Sequence, residues 1–307
     1  MATHAIQVEN LSKRYGKDVQ ALSQVSFEVG RGELFGLIGP DGAGKTTLIR
    51  ILATLLLADE GQALVNGWEV RRDYRKIRSH IGYMPGRFSL YQDLSVEENL
   101  HFFATIFGAT IEENYDLIRD IYVQLEPFRS RKAGKLSGGM KQKLALCCAL
   151  IHKPIVLLLD EPTTGVDPVS RQEFWEILHQ IRAGGTTIVV STAYMDEADQ
   201  CDRIALFFEG EIAAMGSPAA VKGAFPYRVY RLSGTALQDL KTFLEGQPEV
   251  RGIQLFGDAL HVSFSEKPSP ETWREWARRG GFPGLRWEEI SPSIEDVFLA
   301  HMAGETA

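Results

Sequence analysis

Residues 39–47 read Gly39-Pro40-Asp41-Gly42-Ala43-Gly44-Lys45-Thr46-Thr47. The stretch fits the pattern G-x-x-x-x-G-K-[ST], with Gly39, Gly44, Lys45 and Thr46 at its fixed positions. Immediately before it, Glu33-Leu34-Phe35-Gly36-Leu37-Ile38 is a short apolar run that suits a buried strand, and residues 48–56 after it suit a buried helix. Strand, glycine loop and helix, in that order, are what a polyphosphate site needs. A nucleoside triphosphate brings several negative charges that must leave water. Glycines let the backbone curl until successive N–H groups point at the phosphates, and the helix starting near Gly44 adds the positive end of its dipole. Lys45 is placed to reach the β- and γ-phosphates, and the Thr46 hydroxyl to hold Mg2+.

A second run, Ile155-Val156-Leu157-Leu158-Leu159-Asp160-Glu161, is an apolar strand that ends in two acids. Set beside the phosphate loop, Asp160 can hold Mg2+, directly or through water. Glu161 can polarise an attacking water as a general base. Between these motifs, Leu136-Ser137-Gly138-Gly139-Met140 opens a predicted helix. Ser137 and the N–H groups of Gly138 and Gly139 thus make a second helix end suited to phosphate.

These motifs, in this order, resemble the ATP-binding-cassette (ABC) ATPases, and the resemblance covers residues 5–222, about seven-tenths of the chain. Gly39 to Thr47 match the family's phosphate loop. Ser137, Gly138 and Gly139 match its signature, with Met140 where glutamine is common. Asp160 and Glu161 match its Mg2+-binding and water-activating acids. The resemblance implies that Tyr15, in Arg14-Tyr15-Gly16, stacks on adenine. It also implies that Asp167, in Gly165-Val166-Asp167, lies in the loop that crosses to a second such domain. In this family the signature of one subunit closes over the nucleotide of the other, so that ATP sits in a dimer interface. The implied cofactors are ATP and Mg2+. The implied partners are a membrane permease and a second ABC ATPase domain, in a homodimer or a heterodimer.

Two positions depart from the family pattern. Gly86, in Ile81-Gly82-Tyr83-Met84-Pro85-Gly86-Arg87-Phe88, stands where a glutamine usually contacts Mg2+ and the attacking water, in a loop that meets the membrane partner. Ala193, in Ser191-Thr192-Ala193-Tyr194-Met195-Asp196-Glu197-Ala198, stands where a histidine usually contacts the γ-phosphate. Neither side chain can supply the contact. Losing one transition-state donor typically costs ~10²–10³ in rate, roughly 3–4 kcal/mol, and two losses in one site need not add. The expectation is a site that binds ATP and Mg2+ through Lys45, Asp160 and Glu161 but hydrolyses slowly by itself. The alternative is ordinary turnover, with water or a neighbour such as Arg87 filling in.

The rest of the chain supports an α/β reading. Residues 5–29 alternate like strands, with Val25, Phe27 and Val29 on one face, and Ala63-Leu64-Val65 before Asn66-Gly67 reads as a hairpin. Residues 89–152 form an inserted helical subdomain, with Ser95 an expected N-cap and helices expected from Tyr115 and from Gly138. Strands at 155–159, 187–191 and 204–208, with a helix from Arg171 to Arg182, predict a mostly parallel sheet with crossovers. The expected fold is therefore of P-loop NTPase type: a mixed, mainly parallel sheet, an antiparallel β subdomain and the helical subdomain. The nucleotide-binding domain is placed at 1–225. Residues 226–307 read strand, helix, strand, strand, helix, strand, helix, a small α+β accessory domain of ferredoxin-like order.

Composition sets the outer bounds. The 307 residues suit about two domains. A net charge of −7 points away from a nucleic-acid partner. The longest apolar runs are too short to span a bilayer, and the amino-terminal segment lacks the pattern of a secretion signal. Cys147, Cys148 and Cys201 offer neither a disulfide framework nor a metal spacing. Arg71-Arg72-Asp73-Tyr74-Arg75-Lys76 reads as a solvated helix face, and Trp273, Trp276 and Trp287 as packing of the terminal domain.

Within the family, the runs Ser89-Leu90-Tyr91-Gln92-Asp93-Leu94 and Met195-Asp196-Glu197-Ala198-Asp199-Gln200-Cys201 look close to the amino-terminal ATPase half of tandem bacterial multidrug-export ATPases. Those halves can also lack the switch histidine. The segment from Ser291 to Leu299 resembles the carboxy-terminal end of exporter-type members, and equally reads as a capped helix with Ser293 as N-cap and Val297 and Phe298 buried. The expected function is the ATPase of a bacterial drug or small-molecule exporter, peripheral on the inner face of the cytoplasmic membrane. The alternatives are a family member acting on ribosomes or DNA, and a regulatory ATP-binding module without turnover.

Overall fold

Apolar residues alternate along two long amino-terminal strands, β1 (His4–Tyr15) and β2 (Val19–Gly30), which pair antiparallel and bury Val25, Phe27 and Val29. The computed structural model describes residues 4–16, 18–234 and 236–303. β3 (Leu34–Ile38) is buried along its whole length and leads into α1 (Lys45–Leu52). β4 (Glu60–Val65) pairs with β1 and turns through Asn66 and Gly67 into β5 (Trp68–Glu69). Both turn residues have positive φ, 54° and 80°, as a tight hairpin of this hand requires. A short helix α2 (Tyr74–Arg78) and strand β6 (Ile81–Met84) follow. Arg71, Arg72, Arg75 and Lys76 are exposed around α2.

Three helices make the inserted segment: α3 (Val96–Ile106), α4 (Ile111–Tyr122) and α5 (Gly138–Leu150). Ser95 caps α3 in a reciprocal pair with Glu98, and Thr110 caps α4 in the same way with Glu113. The second cap moves the start of α4 upstream of the expected Tyr115. The chain then alternates β7 (Val156–Asp160), α6 (Pro168–Ala183), β8 (Thr187–Thr192), β9 (Arg203–Phe208) and β10 (Glu211–Gly216). α6 begins before Arg171 because Asp167 caps it and Pro168 suits its first turn.

The central sheet has the order β10-β9-β3-β8-β7-β6, with parallel pairing from β9 through to β6. The smaller antiparallel sheet has the order β2-β1-β4-β5. Leu48, Ile49, Ile51 and Leu52 of α1 join one core with Val8, Leu22 and Phe27 of that sheet and Phe35, Leu37 and Leu158 of the central sheet. Most of α1 is buried between the two sheets, with Arg50 turned to solvent, which suits the largely apolar run 48–56. The helix itself stops at Leu52, short of Leu56, because Thr54 takes a left-handed φ of 61°.

The chain divides into two units, 1–215 and 216–307, upstream of the expected boundary at 225. The later unit includes α7 (Pro218–Gly223), which packs against its last helix. Its elements are β11 (Arg228–Ser233), α8 (Leu237–Glu245), β12 (Val250–Phe256), β13 (Ala259–Phe264), α9 (Pro270–Gly280), β14 (Arg286–Ile290) and α10 (Ile294–Met302). The sheet order β12-β13-β11-β14, antiparallel throughout, is the ferredoxin-like arrangement. Ser293 caps α10, and Val297 and Phe298 are buried.

Trp273 is the centre of this unit. It is 2% exposed and lies 5.3–5.4 Å, ring to ring, from Tyr230, Phe264, Trp276 and Trp287. Trp287 is the exposed outer member of the group, stacked on Trp273 at 15°. Trp273→Ala should therefore destabilise this unit by about 3–5 kcal/mol, seen as an earlier unfolding transition in urea followed by circular dichroism.

Candidate nucleotide-binding site

The loop at 39–47 leaves the end of β3 where the backbone is hemmed in on two sides. A Cβ on Gly39 would stand 2.3 Å from the Phe207 carbonyl oxygen of β9. One on Gly44, whose φ is 104°, would stand 2.3 Å from the Ala21 carbonyl oxygen of β2. Both distances are far inside van der Waals contact, so only glycine fits. Pro40, Asp41, Gly42 and Ala43 form the turn between them, closed by the Ala43 N–H on the Pro40 carbonyl at 3.3 Å. α1 then starts at Lys45, directing its first N–H groups at the loop.

Lys45 is 3% exposed. Its Nζ donates to the carbonyl oxygens of Gly39 at 2.7 Å and Pro40 at 2.9 Å, and lies 3.4 Å from Glu161 Oε1. The ammonium is thus held at the mouth of the loop, next to the acid that ends β7. Thr46 Oγ1 donates to Asp160 Oδ1 at 2.8 Å. Asp160 is itself 3% exposed and also accepts from Ser191 Oγ at 2.9 Å. A buried carboxylate is retained only where hydrogen bonds or charges compensate its lost hydration, and here two hydroxyls do so. The charge is felt nearby: burial and the Asp160 carboxylate raise the pKa of the Tyr83 phenol.

Glu161 is half-buried and sits at a left-handed φ of 50°. Its N–H donates to both the carbonyl and the hydroxyl oxygen of Ser191, at 3.1 and 3.0 Å. Such a conformation costs energy in a non-glycine residue and persists only where surrounding contacts hold it. Ser191 is a residue of this cluster that no sequence motif marks. Its signal was the polar end Ser191-Thr192 on an otherwise apolar strand, and the register pairs it with Asp160.

Tyr15 ends β1 beside the loop, with its hydroxyl 3.4 Å from Thr47 Oγ1 and 42% of its surface open. Position 86 also belongs to the cluster. A Cβ on Gly86 would stand 3.0 Å from the Asp160 carbonyl oxygen and 3.8 Å from Asp160 Oδ2. Ala193 directly follows β8, next to Thr192, and is half-buried. The neighbouring Tyr194 ring is engaged by Arg171 at 4.0 Å, and Arg87 is exposed.

Ser137, Gly138, Gly139 and Asp167 form a second cluster, at the starts of α5 and α6. Ser137 Oγ accepts from the Met140 N–H at 3.3 Å, and Asp167 Oδ1 accepts from the Ser170 N–H at 3.0 Å. That bond from the Ser170 backbone holds the Asp167 carboxyl below its usual range. The two helix starts touch: a Cβ on Gly139 would stand 2.8 Å from Ser170 Oγ, and one on Gly138 3.5 Å from the Gly165 carbonyl oxygen. Ser137, Gly138 and Asp167 are at the surface.

The remaining groups lie apart from this chemistry. Cys147, Cys148 and Cys201 are buried, and burial pushes their thiols up. Among the described residues, no cluster of three or more His, Cys, Asp or Glu could hold a metal ion. The oxygens of Thr46 and Asp160 are hard donors, of the kind that hold Mg2+ together with substrate phosphates rather than in an all-protein cage.

The chain is similar to known proteins over nearly all of its length. Residues 22–164 match the family described as ABC transporter. The chain is 38% identical over 304 residues to a probable multidrug ABC transporter ATP-binding protein, YbhF, of Escherichia coli strain K12. That match takes in 97% of this chain and 52% of the relative, so the chain spans about half of that protein's length. It is 37% identical over 306 residues to the Nod factor export ATP-binding protein I of Burkholderia orbicola strain AU 1054, covering 97% of each. Among solved structures, the dimeric post-hydrolysis state of the ATP-binding cassette MJ0796, bound to ADP and Pi, matches with a TM-score of 0.63 at 26% identity. It covers 69% of this chain and 98% of that one. The chain belongs to the ABC transporter family, among its ATP-binding proteins.

Proposed function

We propose that the chain is the ATPase subunit of a bacterial exporter: it binds MgATP at a dimer interface and drives a separate membrane permease. The observation that carries this reading is the single cluster in which Thr46 meets Asp160 at 2.8 Å and Lys45 lies 3.4 Å from Glu161. These four residues come from two separated stretches of sequence to one place, which suits phosphoryl-transfer chemistry. Residues 39–47 wrap the phosphates, Lys45 balances their charge and Tyr15 stacks on the base. Thr46 and Asp160 would hold Mg2+, which when bound neutralises charge on the phosphates. Glu161 accepts a proton from the attacking water. Ser137, Gly138 and Gly139 contact the nucleotide of a second ABC ATPase domain, and the Asp167 loop crosses to that domain.

The permease is a separate protein in this reading. Among the described residues, no helix is long and apolar enough to cross a membrane. A cavity of about 400 Å3 lies beside the Gly86 loop, lined by Tyr83, Pro85, Phe88, Phe103, Ile106 and Phe107 among others. Ile106 is 58% exposed at its rim, and an apolar groove with an open apolar edge suits a helix from a partner. The chain then works on the cytoplasmic face of the membrane. Multidrug and Nod-factor export, the roles in the relatives' names, make a drug or other small molecule the cargo class.

The exporter reading is tested by copurification from the native host. A membrane permease together with a second ATPase domain is the expected catch; ribosomes or DNA in their place would overturn it.

Hydrolysis in this chain's own site is slow in the same reading, because Gly86 and Ala193 present no donor. Restoring both, in Gly86→Gln with Ala193→His, should raise single-turnover ATP cleavage by about tenfold or more. The Gly86→Gln backbone must yield by a few tenths of an ångström, since its Cβ starts 3.0 Å from the Asp160 carbonyl. Ala193→His alone carries no such strain and should show part of the gain.

A further inference from the structure

Glu197 follows Ala193 by four residues and has no assigned role, yet it is 3% exposed and fully engaged. Its Oε2 accepts from Thr163 Oγ1 at 3.0 Å and from Thr192 Oγ1 at 2.5 Å, and its Oε1 accepts from Arg171 Nε at 3.0 Å. The three donors sit on three different elements. Thr163 lies in the loop after β7, two residues past Glu161 and four before Asp167. Thr192 ends β8, one residue before Ala193 and one after Ser191, which holds both Asp160 and Glu161. Arg171 lies in the first turns of α6, which Asp167 caps, and its guanidinium also pairs with Asp196 at 3.1 Å. Thr163 and Thr192 are each 1% exposed, so neither hydroxyl has water to fall back on.

We propose that Glu197 is a positioning residue for ATP cleavage: one buried carboxylate fixes the loop from Glu161 to Asp167 to the end of β8. It touches no substrate. It sets where the Glu161 carboxylate stands relative to the phosphate loop, and the same bond to Thr163 sets the loop that runs out to Asp167. The base of this chain's site and the residue expected to cross to a second domain are thereby held from one point. The rotation of a short buried side chain would shift both together. Catalytic geometry tolerates little displacement, and an error near 1 Å can cost ~10²-fold in rate. The proposal rests on the ATPase reading, and half of its test does not depend on turnover.

The test compares the full chain with Glu197→Ala, Glu197→Gln and Thr163→Val. Two quantities are read: MgATP affinity with the single-turnover cleavage rate under excess protein, and amide hydrogen exchange by segment. Glu197→Ala should slow cleavage by about tenfold while the ATP dissociation constant changes less than about threefold. Glu197→Gln keeps an oxygen for the two threonines and should retain a rate between the two. Exchange in Glu197→Ala should quicken together at 161–167 and 192–196, and remain unchanged at 39–47. Thr163→Val removes one donor in an isosteric side chain, so it reports on a folded protein should Glu197→Ala fail to fold; there, exchange at 161–167 should quicken. Cleavage within twofold of the parent in both Glu197 variants, or quickened exchange confined to 192–200, overturns the proposal. Absence of any cleavage by the parent chain counts against the ATPase reading instead, and the exchange result still decides the role of Glu197.

Discussion

Lys45→Ala should lower the affinity for MgATP by roughly a hundredfold or more, the equivalent of about 3 kcal/mol from lost charge-assisted hydrogen bonds. The structure gives the reason in advance of any ligand. Lys45 Nζ stands between the Gly39 and Pro40 carbonyls and Glu161, buried to 3% exposure, so its charge is not dispersed into water. Polyphosphate entering the loop meets a cation already desolvated and aimed. Alanine removes that charge and frees two carbonyls, and it leaves Glu161 facing the phosphates without a counter-ion. Titration with a fluorescent ATP analogue measures the loss. A circular dichroism melt identifies any part due to loosening of the loop. Binding within threefold of the parent would show that the phosphates lie elsewhere.

Glu161→Gln should leave MgATP bound and cut single-turnover cleavage by about 10²–10⁴, the usual share of a positioned general base. Gln is isosteric, so the backbone at φ 50° and the two bonds from the Glu161 N–H to Ser191 are kept. Lys45 loses one partner but keeps both carbonyls. Removing a negative charge beside the phosphates favours binding, so affinity should hold or rise. The opposed signs are diagnostic: Lys45→Ala loses binding, whereas Glu161→Gln keeps binding and loses cleavage. A quenched-flow time course with radiolabelled ATP reads the second, and an unchanged rate would remove Glu161 from the base role.

Much of this site is legible in the chain because its parts are local. Gly39, Gly44, Lys45 and Thr46 need only a strand before them and a helix after them, and periodicity reports both. Asp160 and Glu161 stand out as acids ending an apolar strand. The parts that escape a linear reading depend on sheet order. β8 lies between β3 and β7, so Ser191 comes to Asp160 across a strand register that no local pattern encodes. Glu197 gathers donors from Thr163, Arg171 and Thr192, again through the meeting of separate elements. Element ends differ from the apolar pattern for a related reason. α1 stops at Leu52 through the left-handed turn at Thr54, although the apolar run goes on to Leu56. α4 starts at the Thr110 cap, ahead of the apolar stripe that announced it. The ferredoxin-like order of the carboxy-terminal unit was readable, since each strand and helix there is short, punctuated and sequential.

Gly86 and Ala193 turn the ATPase account into a claim about rate. Position 86 lies against Asp160, where a longer side chain would reach the oxygens proposed to hold Mg2+, and position 193 follows the strand that braces both acids. The cluster around Lys45 is otherwise complete. The most direct measurement is therefore MgATP binding and steady-state turnover on the same purified, unmodified chain. The account predicts saturable MgATP binding with turnover well below about one per second, the low end for enzymes generally. Turnover of several per second by this chain alone would contradict it.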